Sequence, residues 1–357
     1  MTYRAAWQSP SNIALVKYWG KHGIQLPRNP SLSFTLSACL TKMTVEVVPE
    51  AEKPDVEVYY EGTPRPAFEG KIRAFFGLLH QHFPWLAQAS VRIDSTNTFP
   101  HGAGIASSAS AMSALALCLS DINDQLAGGR LGNDTSWWQH AAEIARLGSG
   151  SACRSLFPVA ALWGATGGID DSSDSYAIPW ADRVQPFYRD YCDTILIVSS
   201  AEKAVSSTAG HELMNLLPYA RTRYAEAQRN IERLIDTLAS EDSVNDFMTI
   251  CETEALQLHA LMMSGDAPFI LMEPGTLAII KAVWAFRKET GLPVCFTLDA
   301  GPNVHLLYPA DHRIPVMDFV RTKLAAHCAD GRFIEDKVGT GPERLTGKPA
   351  EPDYLLA

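Results

Sequence analysis

A glycine- and serine-rich stretch, FPHGAGIASSASAMSALAL at Phe99–Leu117, contains the residue types that bind phosphate groups. The apolar residues that follow recur at helical spacing, which predicts a helix that begins near Ser107 or Ser108. The unpaired N–H groups and the partial positive charge at a helix start attract anions, and glycine lets the backbone approach a phosphate closely. A capped turn before a helix has the same composition, so this stretch alone leaves a phosphate cradle and simple capping both open.

Two lysines flank a pair of aromatic residues in the segment SNIALVKYWGKHG, where Lys17 and Lys21 lie on either side of Tyr18 and Trp19. Two cations beside aromatic rings can hold a diphosphate or a carboxylate. The alternative is a surface strand whose lysines are solvated, and the segment alone favours neither interpretation.

An arginine and an aspartate lie in two further turns. Arg154 follows a second glycine- and serine-rich loop, in GSGSACRSL at Gly148–Leu156, where its guanidinium suits a bidentate contact with a carboxylate or a phosphate. Asp299 ends the apolar stretch FTLD and enters the tight turn AGPN, where a carboxylate can be partly buried. The competing interpretations are a structural arginine near a helix end and an aspartate that only stabilises its own turn.

The composition of the chain excludes several classes of protein. The 357 residues carry a formal net charge of -10 and are 46% hydrophobic, which is typical of a globular protein of about two domains. Such an acidic chain lacks the basic surface that binds nucleic acid or an anionic membrane, so neither partner is expected. No segment has the apolar length of a signal peptide or a membrane span, which predicts a cytoplasmic protein. Seven scattered cysteines without a CxxC pair indicate reduced thiols, most of them small core residues.

Strand-like and helix-like spacings of apolar residues occur in both halves of the chain. Strands are predicted at TVEVV, VEVYY, VRID, DTILIVSS, VCFTLD and VHLLYP, with a hairpin turn at AGPN between the last two. Helices are predicted around Phe75, Leu234 and Cys251. A polar segment with several prolines suggests a boundary near Arg189, which divides the chain into residues 1–188 and 189–357. Strands followed by helices, without regular alternation, favour an α+β fold over a doubly wound parallel sheet.

In their order along the chain, these segments resemble the mevalonate diphosphate decarboxylase family of the GHMP small-molecule kinase superfamily. The similarity covers most of the chain, at NIALVKYWGK, NPSLSFTLS, NTFPHGAGIASSAS, GSGSACRSLF, KAVSSTAG and FTLDAGPN. The resemblance implies two lobes around a deep cleft, the first like domain 2 of ribosomal protein S5 and the second ferredoxin-like. It also implies a homodimer, and it favours the phosphate cradle, with Mg-ATP bound at residues 103–110.

The resemblance assigns residues to the site. Asp299 matches the catalytic aspartate, Arg154 the arginine at the substrate carboxylate, and Lys17 the lysine near both of them. Tyr18 and Lys21 match residues that hold the substrate diphosphate, and Asn12 matches a residue beside the aspartate. The full set of implied substrate contacts is Asn12, Tyr18, Lys21, Ser149, Ser151, Arg154 and Ser155. The implied ATP contacts are Ala103, Gly104, Ile105, Ala106, Ser107, Ser108, Ser110, Lys203, Ser206 and Ser207, and no ligand of Mg²⁺ is assigned.

The implied reaction is ATP-dependent decarboxylation of mevalonate 5-diphosphate to isopentenyl diphosphate, by way of phosphorylation of its 3-hydroxyl. Sister activities use mevalonate 5-phosphate or phosphorylate the 3-hydroxyl without decarboxylation, and a non-catalytic ATP- or metabolite-binding protein on the same fold is a third alternative. The chain departs from the family pattern at His101, in SLFPVAALWG where a Gly-Gly is usual, and in lacking an acidic residue after Lys21. None of these departures removes a charged catalytic group.

Overall fold

The computed structural model describes residues 1–100, 105–129, 132–201 and 207–346, and its mixture of sheets and helices confirms the predicted α+β class. The strands are β1 (Tyr3–Ala14), β2 (Lys21–His22), β3 (Leu26–Pro27), β4 (Ser31–Val48), β5 (Val56–Tyr60), β6 (Thr63–Pro64), β7 (Ser90–Asn97), β8 (Ala160–Trp163), β9 (Ala177–Pro179), β10 (Cys192–Leu196), β11 (Cys295–Leu298), β12 (Val304–Tyr308), β13 (Phe333–Lys337) and β14 (Glu343–Arg344). The α-helices are α1 (Pro66–Leu78), α2 (Ser107–Leu126), α3 (Thr135–Gly148), α4 (Pro186–Arg189), α5 (Ser207–Leu213), α6 (Ala220–Leu238), α7 (Val244–Met263), α8 (Pro274–Thr290) and α9 (Arg313–Phe319). Among the short 3-10 helices, Gly150–Leu156 bears on the site.

Most of the strands form two sheets. The larger sheet has the order β14-β1-β4-β7-β5-β6, with β8 beside β4 and β9 beside β8, and β5 and β7 are its only parallel pair among the described residues. The smaller sheet, β11-β12-β10-β13, is antiparallel throughout. Helix α2 packs on β1 and β4, and α7 and α8 pack on β11. The helices therefore cover the strands whose ends carry the predicted site residues.

Strand β4 connects the two sheets at an irregularity in its pairing. The register with β1 shifts, so that residues 36–39 of β4 have no partner on β1. Asp336 of β13 lies opposite this gap, and its carboxylate accepts the N–H groups of residues 37–39 at 2.7 to 2.9 Å. Buried N–H groups that leave one ladder need another acceptor, and here the acceptor comes from the second sheet.

The turn between β11 and β12 is the predicted hairpin at AGPN, and side chains outside the turn hold it in place. Asn303 accepts the N–H of Ser199 at 3.0 Å and donates to its carbonyl at 3.1 Å. Thr276 of α8 donates to the carbonyl of Pro302 at 2.6 Å. The turn that carries Asp299 is therefore fixed both by the segment that follows β10 and by α8.

The segment around the predicted boundary at Arg189 contributes large side chains to the core. Trp180, Tyr188 and Tyr191 are buried in a cluster that also includes residues of β1, β4, α6 and α7. In addition, β14 at the C-terminal end pairs with β1. The two halves thus share a core and a sheet, and the division at residue 189 stays a prediction.

The cysteines and the helices agree with two of the compositional expectations. All seven cysteines are unpaired, and six of them are buried while Cys328 is half-buried, as predicted for reduced core thiols. Within the described ranges, no helix combines the length and the apolar character needed to cross a bilayer.

Replacing Gly339 with alanine is expected to destabilise the protein by about 1 to 3 kcal/mol, the usual cost of an added group in a packed region. A Cβ at Gly339 would lie 2.1 Å from the carbonyl oxygen of Leu36, a backbone atom that cannot rotate away. Gly77→Ala is the matched control, because a Cβ there meets nothing within 4 Å and alanine favours the helix. Urea denaturation measures both variants, and equal midpoints for Gly339→Ala and the parent would contradict the prediction.

Candidate active site

The structure places Lys17 and Asp299 in direct contact. Lys17 lies three residues after the end of β1, and Asp299 directly follows β11. The Lys17 Nζ donates to Asp299 Oδ1 at 3.0 Å, with 2% of the lysine side chain and 25% of the aspartate side chain exposed. This burial shows that the alternative of a solvated lysine on a surface strand is wrong for Lys17. The pair offers a carboxylate that solvent reaches, beside an ammonium group that solvent does not.

Arg154 brings a second buried cation to this region. It lies in the 3-10 helix Gly150–Leu156, is 2% exposed, donates to the hydroxyl of Ser31, and lies 5.8 Å from the ring centre of Trp163. Burial lowers the pKa of Arg154, and the charge of Asp299 opposes that shift, so the two groups are within electrostatic reach of each other. The Arg154 Nε has no hydrogen-bond partner among the described residues. An unpaired N–H on a buried cation suits an anionic ligand, because such a group is costly to leave unsatisfied.

Tyr18 carries another unsatisfied polar group in the same region. Its ring packs between Trp163 and His211, with centroid distances of 4.7 and 4.4 Å, and burial raises the pKa of its hydroxyl well above the usual value. In the described part of the chain the hydroxyl has no hydrogen-bond partner. Lys21, at the start of β2, is half-buried and donates to Gln25 at 3.3 Å.

The other predicted substrate residues lie close to one another. The Asn12 amide donates to the carbonyl of Ser151 at 3.1 Å and to the hydroxyl of Ser155 at 2.8 Å. Asn12 was expected beside the aspartate, and these contacts show that it ties β1 to the 3-10 helix that carries Arg154. Ser149 is the C-cap residue of α3, and its hydroxyl oxygen lies 3.4 Å from that of Ser108 at the start of α2.

Helix α2 begins at Ser107, as predicted. Its N-cap residue is Ala106, in a left-handed conformation with φ 46°, and no side-chain hydrogen bond from the described residues caps the helix. Alanine is a poor N-cap residue, so the first N–H groups lack the usual side-chain acceptor. Ile105 is buried, whereas Ser107 is half-buried and Ser108 is exposed.

The remaining predicted ATP contacts differ in what the structure says of them. Ser110 is fully buried, and its hydroxyl contacts that of Thr41 at 2.7 Å and donates to the carbonyl of Ser107 at 3.2 Å. That hydroxyl is already bonded within the protein, so a contact of Ser110 with ATP stays a prediction. Ser207 is described only as the first residue of α5. The others lie outside the described residues, as does the departure at residue 101: Ala103, Gly104, Lys203, Ser206 and His101.

Three residues that the sequence did not predict lie against this site. Glu254 accepts the backbone N–H of Lys17 at 2.8 Å, and the His259 Nε2 lies 3.1 Å from the carbonyl oxygen of Asp299. His211 of α5 accepts the backbone N–H of Gly20 at 2.9 Å. The sequence does carry a signal for Glu254, because a glutamate on the buried, largely apolar face of a helix such as α7 is almost always paired with another group. A lone histidine in a helix carries no comparable signal.

Replacing His211 with phenylalanine is expected to flatten the acid dependence of stability. Burial lowers the pKa of His211 from 6.5 to about 3, and the charge of Lys21 adds to the shift. The unfolded chain therefore binds a proton that the folded chain does not, and stability from this group is complete above pH 6.5 and is lost towards pH 3. The variant is expected to lose this part of the pH dependence of the free energy of unfolding, which is at most about 1.4 kcal/mol per pH unit. Denaturation at several pH values within that window measures the slope, and an unchanged slope would refute the assignment.

Family models and relatives agree on where this chain belongs. Residues 9–177 match the diphosphomevalonate decarboxylase-like N-terminal domain, and residues 194–345 match the mevalonate 5-diphosphate decarboxylase C-terminal domain. A relative from Aspergillus fumigatus named diphosphomevalonate decarboxylase is 32% identical over 86% of this chain and 77% of its own. The mevalonate diphosphate decarboxylase of Staphylococcus aureus has a TM-score of 0.82 and 25% identity, covering 97% of this chain and 99% of that one.

A further solved structure is described as MDDEF in complex with MVAPP, AMPPCP and magnesium. It has a TM-score of 0.81 and 26% identity, and covers 97% of this chain and 100% of that one. The two-sheet fold and the site between its strands define an enzyme with the GHMP kinase fold. Within that class, the chain belongs to the diphosphomevalonate decarboxylase family.

Proposed function

We propose that this protein catalyses the ATP-dependent decarboxylation of mevalonate 5-diphosphate to isopentenyl diphosphate, with release of ADP, phosphate and CO₂. Family membership supports this activity, as does the structural relative described in complex with MVAPP, AMPPCP and magnesium. The observation that carries the proposal is the contact of 3.0 Å between Lys17 and Asp299, with Arg154 buried within electrostatic reach. A protein that only binds ATP or a metabolite has little need for this arrangement.

Two of the three charged residues match groups of the substrate, and the third matches the phosphoryl group that ATP transfers to it. Mevalonate 5-diphosphate carries a tertiary 3-hydroxyl between a carboxylate and a remote diphosphate. Arg154, with its unpaired Nε, would bind the carboxylate, and Asp299 would orient the 3-hydroxyl or accept its proton. Lys17 would offset negative charge on the phosphoryl group as it is transferred.

The same carboxylate serves the second step. When phosphate leaves C3, positive charge develops on that carbon, and a fixed negative charge beside it lowers the energy of the transition state. Lys17 and the turn at residues 299–303 hold Asp299 in place, so it does not need to reorient during the reaction. Loss of the carboxylate is therefore expected to impair both steps.

The diphosphate would lie against Tyr18, Lys21 and the serines of the 3-10 helix region. The unpartnered hydroxyl of Tyr18 and the half-buried ammonium of Lys21 supply a donor and a charge. Ser149, Ser151 and Ser155 add further polar groups, and Asn12 holds the last two in position.

ATP and Mg²⁺ fit the first turn of α2. Its N–H groups lack a side-chain cap, and Ser107 and Ser108 stand beside them, as expected for a site that receives phosphate oxygens. The described residues contain no group of three or more His, Cys, Asp or Glu side chains able to enclose a metal ion. Mg²⁺ is commonly held by substrate phosphates with only one or two protein carboxylates, so it would be bound mainly through ATP, where it offsets phosphate charge.

The test is release of CO₂ and ADP by the purified protein with Mg-ATP, comparing mevalonate 5-diphosphate, mevalonate 5-phosphate and mevalonate. Equal amounts of both products from the diphosphate alone are expected. Preference for the monophosphate, or ADP without CO₂, would assign the protein to a sister activity. Binding of ATP and substrate without turnover would favour the non-catalytic alternative.

We also propose that the protein is a cytoplasmic homodimer, with lobes formed by residues 1–188 and 189–357. The resemblance to the family supports these points. Light scattering of the purified protein tests the dimer, and a monomeric mass at all concentrations would contradict it.

A further inference from the structure

We propose that α7 positions the Lys17–Asp299 pair, with Glu254 and His259 as positioning residues for the reaction. This inference rests on the proposed function and adds to it two residues that touch neither substrate nor nucleotide. Both act on backbone atoms, Glu254 on the N–H of Lys17 and His259 on the carbonyl of Asp299.

Glu254 holds the backbone of Lys17 through a fully satisfied, buried carboxylate. It is 0% exposed and accepts hydrogen bonds from Arg223, from the Asn230 amide at 2.7 Å, and from the Lys17 N–H at 2.8 Å. The carbonyl of Lys17 is bonded as well, to the Asn29 amide at 3.0 Å and to Arg223 at 3.3 Å. Both polar backbone groups of Lys17 are therefore held, which fixes the origin of a side chain that reaches Asp299.

His259 holds the backbone of Asp299 from the same helix. A carbonyl oxygen only accepts, so the Nε2 must carry the proton in this contact of 3.1 Å. The N–H of Gly301 bonds to the same carbonyl oxygen at 2.7 Å. Asp299 is thus oriented through its main chain, and its side chain contacts Lys17.

The two contacts lie on one rigid element. Glu254 and His259 are five residues apart on α7, which corresponds to about 7.5 Å along a helix axis. A helix of this length keeps that separation constant, so it sets the distance between two segments that are 282 residues apart in the chain. Displacement of a catalytic group by about 1 Å can reduce the rate about 100-fold, so a fixed spacing has direct value for the chemistry.

Stability alone does not explain why a buried pair of Glu254 and Arg223 lies against Lys17. A buried Glu–Arg pair is often no more stabilising than apolar side chains of the same volume, because both charges lose their hydration. Hydrogen bonds from such a pair are directional, however, and here two of them end on the N–H and the carbonyl of Lys17. Orientation of Lys17 is the property that this pair supplies and an apolar pair would not.

The test compares the same substitution at two positions of α7. Glu254→Gln breaks the pair with Arg223 and weakens the bond to Lys17. Glu252→Gln is the matched control, because Glu252 also accepts from an arginine, Arg287, and from Trp284, but does not contact the site. We expect Glu254→Gln to lower kcat at least tenfold with KM within threefold, and Glu252→Gln to keep kcat within twofold.

His259 provides a second pair of variants, which tests the positioning by α7 even if Glu254→Gln does not fold. His259→Leu removes the donor to Asp299 and is expected to lower kcat at least fivefold. His259→Gln retains an N–H donor at a similar distance from the backbone and is expected to restore kcat to within threefold of the parent. Equal activity of the leucine and glutamine variants would overturn the role of His259.

Crystal structures of the variants give a measure that does not depend on turnover. The distance from Lys17 Nζ to Asp299 Oδ1 is expected to exceed 3.5 Å in Glu254→Gln or His259→Leu and to stay near its present value in Glu252→Gln. An unchanged distance and an unchanged kcat in both site variants would overturn the proposal. A parent protein that lacks decarboxylase activity but shows the displaced pair in its variants would refute the proposed function and leave the positioning by α7 intact.

Discussion

Replacing Asp299 with asparagine is expected to reduce turnover at least about 100-fold, within the range for a positioned acid–base group. Asparagine retains the size of the side chain but has no charge and accepts no proton. It would neither activate the 3-hydroxyl nor stabilise the positive charge that follows loss of phosphate. Release of ADP and CO₂ under saturating substrate measures the effect, and both products are expected to fall together.

The control for this variant is Asp121→Asn. Like Asp299, Asp121 is a carboxylate paired with a cation: it accepts from Arg344 and from Trp7, but it is fully buried and lies on α2. The Asp121→Asn variant is expected to be less stable than the parent. Its turnover per folded molecule is expected to stay within about threefold of the parent, because the surroundings of the site are unchanged. Turnover of Asp299→Asn near that of the parent would reject the assigned role of Asp299.

Replacing Arg154 with lysine is expected to lower kcat/KM for mevalonate 5-diphosphate about 30- to 150-fold, which corresponds to about 2 to 3 kcal/mol for hydrogen bonds to a charged group. Lysine keeps the charge but lacks the planar fork that can donate to Ser31 and to a carboxylate at once. Steady-state kinetics with the diphosphate substrate give the value.

A ligand without the carboxylate makes this test specific. An analogue of the substrate that lacks that group is expected to bind the parent and Arg154→Lys with affinities within about threefold, because the lost contact is absent from both complexes. Arg287→Lys serves as the control, since Arg287 pairs with Glu252 outside the site. A kcat/KM for Arg154→Lys within threefold of the parent would contradict the assignment of Arg154 to the carboxylate.

The parts of the fold that the sequence predicted depend on local signals. The start of α2 at Ser107 follows from helical spacing after small residues, and the hairpin between β11 and β12 follows from AGPN between two apolar strands. Strand β1 was not among the predicted strands, and β4 was predicted only at its end, TVEVV. Most of their residues are buried on both faces, so polar and apolar residues do not alternate clearly along them.

The site was predictable to the extent that its residues lie in recognisable motifs. Lys17, Arg154 and Asp299 came from the family resemblance, because each had an ordinary structural explanation when taken alone. Glu254 and His259 act on backbone atoms of distant segments, and a bond to a backbone atom leaves no mark on the sequence of its partner. Only the three-dimensional structure brings α7 against both segments.

The pairing of β14 with β1 bears on how the molecule acquires its structure. Trp7 and Gln8 pair with Arg344 and Glu343, and 335 residues separate Gln8 from Glu343. Contacts between distant parts of a chain form slowly, because a long loop must close before they contribute. Strand β1 therefore acquires β14 as a neighbour only after all the strands between them have been synthesised, and a chain shortened so that it ends before β14 would leave that edge exposed to pairing with other molecules.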